Sequence, residues 1–321
     1  MNKKKVIKAV SIAAGAAAAA AAGVWAAARM FVRSAMDRDV PKSMLKLSGS
    51  GKRFQMGDPS GLSRDPEDAR RLEAREHETV TIAAFDGEYL AAHWFPAEQP
   101  ERVVICLHGW RTTWSRDFGL MADFLFESGC SVLFPEQRGQ NASGGDTISF
   151  GVTEQYDVAD WIRWVRSRCG FDIPLYLFGI SMGAFTAVIS AEGETAGEIR
   201  GIIADCGYTS PEAIWRYVTE DKLHLPFRLF RPLAERQFRQ RTGAGLADLS
   251  APDTLNRTEI PVLFIHGGSD RFIPEGMSRA NASAAKNGRL LIVPGAPHAL
   301  SYLVDPEAYE SAVRAFWEDC E

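Results

Sequence analysis

Hydrophobic runs alternate with amphipathic stretches along most of the chain after residue 78. Apolar runs bounded by turn residues predict strands at residues 79–84, 88–95, 102–107, 131–134, 174–178, 201–204, 260–266 and 289–293. Apolar residues at helical spacing predict helices at residues 117–128, 153–168, 184–191, 275–286 and 306–319. The first two strands are joined at Asp86-Gly87, a typical hairpin turn. Strands that alternate with helices predict an α/β fold with a mainly parallel sheet and right-handed crossovers.

One connection is too long for this alternation. Residues 208–253 separate two predicted strands and contain helix-like pieces broken by Pro226, Pro232 and Pro252. Loops of this length inside a compact domain usually carry a function, such as a lid. The segment is rich in aromatic residues, so we expect a helical cap over residues 208–253. Its aromatic side chains serve either to contact a substrate or to pack the cap on itself.

The N-terminal segment combines four lysines with a long charge-free run. The lysines lie within residues 3–8, and residues 9–28 are mostly alanine. Twenty helical residues span about 30 Å, the thickness of the hydrocarbon core of a bilayer. We expect residues 1–33 to be a membrane anchor that places the rest of the chain outside the cytoplasm. A cleaved signal peptide, with secretion of the remainder, is one alternative, and an exposed alanine helix is another.

Residues 34–78 are polar and contain Gly49-Ser50-Gly51, Pro59 and Pro66. We expect this stretch to be a spacer that ends in a short charged helix capped at Asp65 and docked on the domain. Residues 79–321 then form the main domain, with the cap inserted in it.

Composition narrows the range of functions. The formal net charge of −5 argues against a nucleic-acid-binding protein, which normally has a basic face. The five cysteines have no metal-ligand spacing and do not resemble a disulfide framework. They favour a reducing compartment, in conflict with the orientation that the lysines indicate. No metal or organic cofactor is expected.

The pentapeptide Gly179-Ile180-Ser181-Met182-Gly183 lies between a predicted strand and a predicted helix. Gly-x-Ser-x-Gly in this context is a nucleophile elbow, a turn so sharp that the serine hydroxyl is presented at the helix N-terminus. Ser181 is therefore the predicted nucleophile.

A serine nucleophile needs a histidine base, which a carboxylate orients. His298 follows the last predicted strand, and Asp270 follows the strand before it, so both should emerge at the edge of the sheet where Ser181 lies. His224 and His266 are the other histidines after Ser181, and Asp205 is a rival acid at the end of an earlier strand. We predict Ser181, Asp270 and His298 as the catalytic residues.

A tetrahedral oxyanion needs two backbone donors. We predict the N–H of Met182, directly after the nucleophile, and the N–H of Trp110 in the loop His108-Gly109-Trp110 after the third strand. His108 is expected to brace this loop.

Residues 79–321 resemble an α/β-hydrolase, in a serine-aminopeptidase-like branch that includes membrane-anchored bacterial proteins. The similarity lies in His108-Gly109-Trp110, in the pentapeptide around Ser181, in the segments around Asp270 and His298, and in Pro135-Glu136-Gln137-Arg138-Gly139. In that family the last of these is a scaffolding loop. The resemblance implies a mainly parallel eight-stranded sheet with helices on both faces and a cap.

The expected function is a serine hydrolase that cleaves a carboxyl ester, or a related thioester or amide, through an acyl-enzyme. One alternative is a serine aminopeptidase, which would need a cap carboxylate such as Glu212, Glu220, Asp221 or Glu235 for the substrate ammonium group. A second alternative is a non-catalytic protein that binds a ligand or partner in the same pocket.

Overall fold

The computed structural model describes residues 3–40 and 62–321. In these residues, eight strands form one sheet: β1 (Glu78–Ala83), β2 (Tyr89–Phe95), β3 (Arg102–Leu107), β4 (Cys130–Pro135), β5 (Leu175–Ile180), β6 (Ile199–Asp205), β7 (Val262–Gly267) and β8 (Gly288–Val293). Their order across the sheet is β1-β2-β4-β3-β5-β6-β7-β8. β2 pairs antiparallel with β1 and β4, and every other pair is parallel. The eight predicted strands and the mainly parallel sheet are confirmed.

The helices pack on both faces of this sheet. In the described part of the chain the α-helices are α1 (Lys3–Met36), α2 (Pro66–Ala74), α3 (Trp114–Phe118), α4 (Ala122–Glu127), α5 (Glu154–Cys169), α6 (Met182–Ile189), α7 (Pro211–Tyr217), α8 (Phe227–Thr242), α9 (Ala251–Arg257), α10 (Gly276–Ala284), α11 (Ser301–Val304) and α12 (Pro306–Cys320). The central strand β5 is buried along its whole length. Its side chains alternate between two cores, with Leu177 in one and Phe178 in the other.

The predicted helix over residues 117–128 is in fact two helices. A 3₁₀ turn at Gly119–Met121 separates α3 from α4. At this turn the main chain passes so close to α2 that a Cβ on Gly119 would lie 2.8 Å from the carbonyl carbon of Asp68. The change of helix type therefore coincides with the docking of α2, whose Leu72 is buried and whose N-terminus is capped by the Asp65 carboxylate. Residues 41–61 of the predicted spacer lie outside the described residues.

Helix α1 extends beyond the predicted anchor at residues 1–33. It continues to Met36, and its last turns bury Ala28, Val32 and Met36 in the hydrophobic core of the domain. Where the structure gives the placement of the chain, no helix has both the length and the apolar character for a membrane crossing. The membrane anchor predicted for residues 1–33 stays a prediction.

The connection between β6 and β7 forms the predicted helical cap. It contains α7, a π-helical turn at Val218–Lys222, and α8. Trp215 and Phe230 of the cap both contact Phe31 of α1, with ring centroids 5.2 Å and 5.9 Å away. The cap thus packs on the N-terminal helix as well as on the sheet.

Candidate active site

The predicted site residues lie on loops at one edge of the sheet. Ser181 follows β5, Asp270 lies in the loop after β7, and His298 lies in the loop after β8. The loop after β3 carries Trp110. The carboxyl ends of parallel strands meet at the same edge, so four loops that are distant in sequence converge there.

Ser181 has a strained backbone with φ 57° and ψ −113°. The two glycines of the pentapeptide permit this turn, because a Cβ on Gly179 would collide with the backbone of Gly183, and a Cβ on Gly183 would collide with the carbonyl of Leu107. The Ser181 N–H donates to the carbonyl of Asp205 at 2.8 Å, which fixes the turn against the neighbouring strand. The local sequence and the packing of three strands therefore produce the nucleophile elbow together.

The hydroxyl, imidazole and carboxylate form one continuous chain of hydrogen bonds. Ser181 Oγ lies 3.1 Å from His298 Nε2, and His298 Nδ1 lies 2.6 Å from Asp270 Oδ2. A carboxylate can only accept, so Nδ1 carries a proton. In neutral His298 the Nε2 atom is then free to accept the proton of the Ser181 hydroxyl. This is the arrangement in which an imidazole acts as the base for a serine.

The Asp270 carboxylate is held in its ionised form. Burial acts to raise its pKa, but the charge of His298 and hydrogen bonds from His298 and His266 outweigh burial and keep the pKa of Asp270 well below its ordinary value. The other oxygen, Oδ1, accepts the backbone N–H groups of Phe272 and Ile273, both at 2.8 Å. Donors surround both oxygens, so the carboxylate is fixed in position as well as charged.

The alternative residues have other partners. His266 Nε2 lies 3.0 Å from the carbonyl of Ile273 and 3.2 Å from Asp270 Oδ2, and its Nδ1 lies 2.7 Å from Ser278 Oγ. His266 therefore braces the Asp270 carboxylate from behind. Asp205 accepts a hydrogen bond from the Tyr309 hydroxyl at 3.0 Å, whereas Asp270 is paired with His298.

Two backbone N–H groups near Ser181 are candidates for an oxyanion hole. In the loop after β3, the Gly109 N–H donates to Asp117 Oδ2 at 2.7 Å and the Arg111 N–H donates to Gln140 Oε1 at 2.6 Å. Between them, the Trp110 N–H has no acceptor within the described residues. The Met182 N–H is the first of α6 and likewise has no intrahelical acceptor.

His108 braces this loop, as the sequence predicts. Its Nδ1 lies 2.8 Å from the carbonyl of Gly109, and its Nε2 accepts from the N–H of Gln137 at 3.0 Å. Burial lowers the pKa of His108, which favours this neutral form.

Asp117 and Arg64 also support the loop, and the sequence reasoning missed both. The Arg64 guanidinium donates to Asp117 Oδ1 at 2.6 Å and to the carbonyl of Ala299 at 2.7 Å. Arg64 therefore connects Asp117, which holds the Gly109 loop, to the loop that carries His298. The available signal was a carboxylate in the short helix Trp114–Phe118, eight residues after a loop glycine.

The loop Pro135–Gly139 has the scaffolding role that the resemblance implies. Arg138 forms ion pairs with Asp157 and with Asp86, the latter at 2.7 Å, and Glu136 pairs with His93 at 2.8 Å. These contacts join the loop to α5 and to the first two strands.

A nearly apolar cavity of about 720 Å³, including its open mouth, lies next to Ser181. Aromatic side chains form much of its wall, among them Trp110, Phe150, Tyr208 and Trp215. The cap contributes Ile214, Trp215, Val218 and Leu223. Helix α1 contributes Phe31, Ser34 and Ala35. A space of this size and polarity fits a hydrophobic portion of a small molecule.

Within residues 3–40 and 62–321, one group of side chains has metal-ligand geometry: Cys206, Asp270 and His298, whose ligand atoms lie within 4.8 Å of one another. The carboxylate and imidazole are already bonded to each other. Burial raises the pKa of the Cys206 thiol well above its ordinary value, which disfavours the thiolate that a metal would need.

An eight-stranded sheet with a serine elbow and a histidine–aspartate pair at its edge defines the α/β-hydrolase class. A model of the alpha/beta hydrolase family matches residues 103–312, so the chain belongs to this family.

A curated relative is the uncharacterised protein YqkD of Bacillus subtilis (strain 168), which is 26% identical over 241 residues, 75% of this chain and 78% of YqkD. The esterase Pf2001 of Pyrococcus furiosus has a similar structure, with a TM-score of 0.61 and 22% identity, covering 80% of this chain and 95% of the esterase. Est1E of Butyrivibrio proteoclasticus, solved with ferulic acid bound, has a TM-score of 0.60 and 22% identity, covering 75% of this chain and 98% of Est1E. The protein is thus a hydrolase with an esterase-like fold.

Proposed function

We propose that this hydrolase cleaves carboxyl esters through an acyl-enzyme, with Ser181, His298 and Asp270 as its catalytic triad. The observation that carries the proposal is the unbroken chain of hydrogen bonds from Ser181 Oγ to the Asp270 carboxylate, at 3.1 Å and 2.6 Å. Its base is oriented, its acid is ionised, and its nucleophile lies against an apolar cavity.

In the proposed reaction, Ser181 Oγ attacks the acyl carbon while its proton passes to His298 Nε2. Negative charge then develops on the acyl oxygen, and the N–H groups of Met182 and Trp110 stabilise it. The intermediate collapses as His298 gives the proton to the leaving alkoxide, which departs as the alcohol. Water then attacks the acyl-enzyme with His298 again as base, and the acid and free Ser181 are released. Asp270 keeps His298 in the required tautomer and stabilises the imidazolium.

The lining of the cavity supports an ester in preference to a peptide with a free amino terminus. Aminopeptidase recognition needs a carboxylate for the ammonium group, and no acidic side chain lines this cavity among the residues that the structure describes. Two of the cap carboxylates are already engaged, since Glu212 pairs with Arg216 and Arg231, and Glu235 pairs with Arg239.

Labelling with a fluorophosphonate probe tests the proposal, because the probe reacts only with an activated serine. We expect wild-type protein to be labelled and to hydrolyse 4-nitrophenyl esters. The Ser181→Ala variant should lose both activities while its circular dichroism spectrum and melting temperature stay close to those of the wild type. Ser190→Ala is the matched control, since Ser190 lies at the other end of the same helix. Equal labelling of wild type and Ser181→Ala would exclude Ser181 as the nucleophile.

A further inference from the structure

Helix α1 ends against the loop that carries the proposed oxyanion donor. The indole Nε1 of Trp110 donates to the carbonyl of Ala35 at 2.8 Å, and the Arg111 guanidinium donates to the carbonyls of Ser34 at 3.1 Å and Asp37. The last carbonyls of a helix have no intrahelical partner, and they favour positive charge. The loop after β3 therefore caps α1, and α1 in turn holds the loop.

Three further contacts fix the chain just beyond the helix. Asp37 forms a β-bridge with Thr147, the Arg38 guanidinium donates to the carbonyl of Gly145 at 3.2 Å, and Asp37 pairs with Arg241 of α8 at 3.0 Å. The end of α1 is thus attached to the loop after β4 and to the cap. An end attached at this many points is a fixed part of the domain.

The same two turns of α1 form part of the wall of the apolar cavity. Phe31 and Ala35 are four residues apart, so they lie on one face of the helix, and both line the cavity that also contains Ser181 and Met182. Phe31 is held by Trp215, with ring planes at 87°, and by Phe230. Ala35 has the smallest side chain of any α1 residue on this wall and leaves the space in front of it open.

We propose that residues 31–35 of α1 select the length of the acyl chain. The inference rests on the proposed function, because it assigns the cavity beside Ser181 to the acyl group of an ester. The substrate class is an ester of an unbranched aliphatic acid, whose chain extends between the cap and α1. Ala35 leaves room for this chain, and Phe31 limits it.

Two substitutions with opposite effects test the proposal. Ala35→Leu adds three carbon atoms to a close-packed wall, so the preferred acyl chain should become shorter by about three carbons. Each methylene excluded from the cavity lowers kcat/KM about fourfold. The exclusion of three methylenes should therefore lower kcat/KM for long esters roughly 60-fold relative to kcat/KM for the butanoate ester. Phe31→Ala should shift the preference toward longer chains. The matched control is Ala26→Leu, the same change at an exposed position of α1.

The measurement is kcat/KM for 4-nitrophenyl esters with straight acyl chains of increasing length. Only variants with the same melting temperature are compared. A second measurement uses the Ser181→Ala background and follows the quenching of tryptophan fluorescence by butanoate, octanoate and dodecanoate. In this measurement, Ala35→Leu should weaken the binding of dodecanoate more than the binding of butanoate, whereas Ala26→Leu should change neither.

The outcomes separate this inference from the proposed function. Suppose that Ser181→Ala abolishes ester cleavage but Ala35→Leu and Ala26→Leu give the same chain-length profile. In that case α1 does not select the acyl chain, and the proposed ester hydrolysis is unaffected. If the wild type cleaves no ester, the proposed function falls. The binding measurement then decides the role of α1 alone, and equal dissociation constants for the two leucine variants would overturn it.

Discussion

The most informative single substitution is Asp205→Asn, because the structure puts a carboxylate in an unfavourable place. Asp205 is 1% exposed, one of its oxygens has no hydrogen-bond partner in the described part of the molecule, and the other accepts only from Tyr309. Burial raises the pKa of Asp205 from 3.8 to about 6, despite the opposing effects of the Tyr309 hydrogen bond and the nearby imidazoles. In the unfolded chain this carboxyl group ionises at its ordinary pKa.

The sign and size of the effect follow from this difference. Because the folded pKa is the higher one, the folded state binds more protons between about pH 4 and pH 6, and stability falls as the pH rises through that range. Above about pH 6 the ionised Asp205 lowers the stability of the folded state by its full amount. A pKa difference of about two units corresponds to about 3 kcal/mol of unfolding free energy. Asp205→Asn removes this cost, while the cost of burying the amide is the same at every pH.

Urea unfolding followed by circular dichroism measures the effect. The stability gained on substitution should be larger at about pH 8 than at about pH 4, by about 2 to 3 kcal/mol. Tyr309→Phe is the complementary variant, since it removes the remaining donor and should destabilise the protein more at high pH. A stability change that is equal at both pH values would show that folding does not disfavour the charged form of Asp205, and the reasoning would be wrong.

Three further predictions concern the site itself. Asp270→Asn should lower kcat for ester cleavage by about 10⁴-fold with little change in KM, because the imidazole loses its orienting acceptor; steady-state kinetics would show whether both constants change instead. Asp117→Asn should lower kcat by about 10²-fold, because the loop of the oxyanion donor loses a charged acceptor, and a change in KM alone would contradict this role. Gly183→Ala should not fold, because its Cβ would collide with a strand carbonyl, whereas Gly197→Ala, which has open space around it, should melt near the wild-type temperature.

The predicted site residues that the structure brings together are those with a local signal. Ser181 lies in a pentapeptide with its own strand and helix, and Asp270 and His298 directly follow apolar strands, so chain order and sheet topology suffice to bring them together. The Trp110 loop follows by the same reasoning. These predictions need only the rule that parallel strands end at one edge.

The features that could not be predicted depend on packing between distant segments. Asp117 supports the loop of the proposed oxyanion donor because it is buried beside Gly109, and no spacing rule gives burial. The alanine-rich run of α1 has no amphipathic pattern, so the sequence does not indicate that Phe31 and Ala35, just after that run, line a cavity. The break between α3 and α4 coincides with close contact between Gly119 and Asp68 of α2, which are about fifty residues apart in the sequence.

The attachment of α1 has a practical consequence for work with the purified protein. An apolar leader is commonly deleted before recombinant production, and the lysines and alanines of this N-terminus invite that deletion. A cut after Met36 would remove buried side chains and expose the aromatic residues of the cap to water. Truncation upstream of Val24 keeps the described core contacts of the helix end, so the choice of starting residue will decide whether an assay samples the native site.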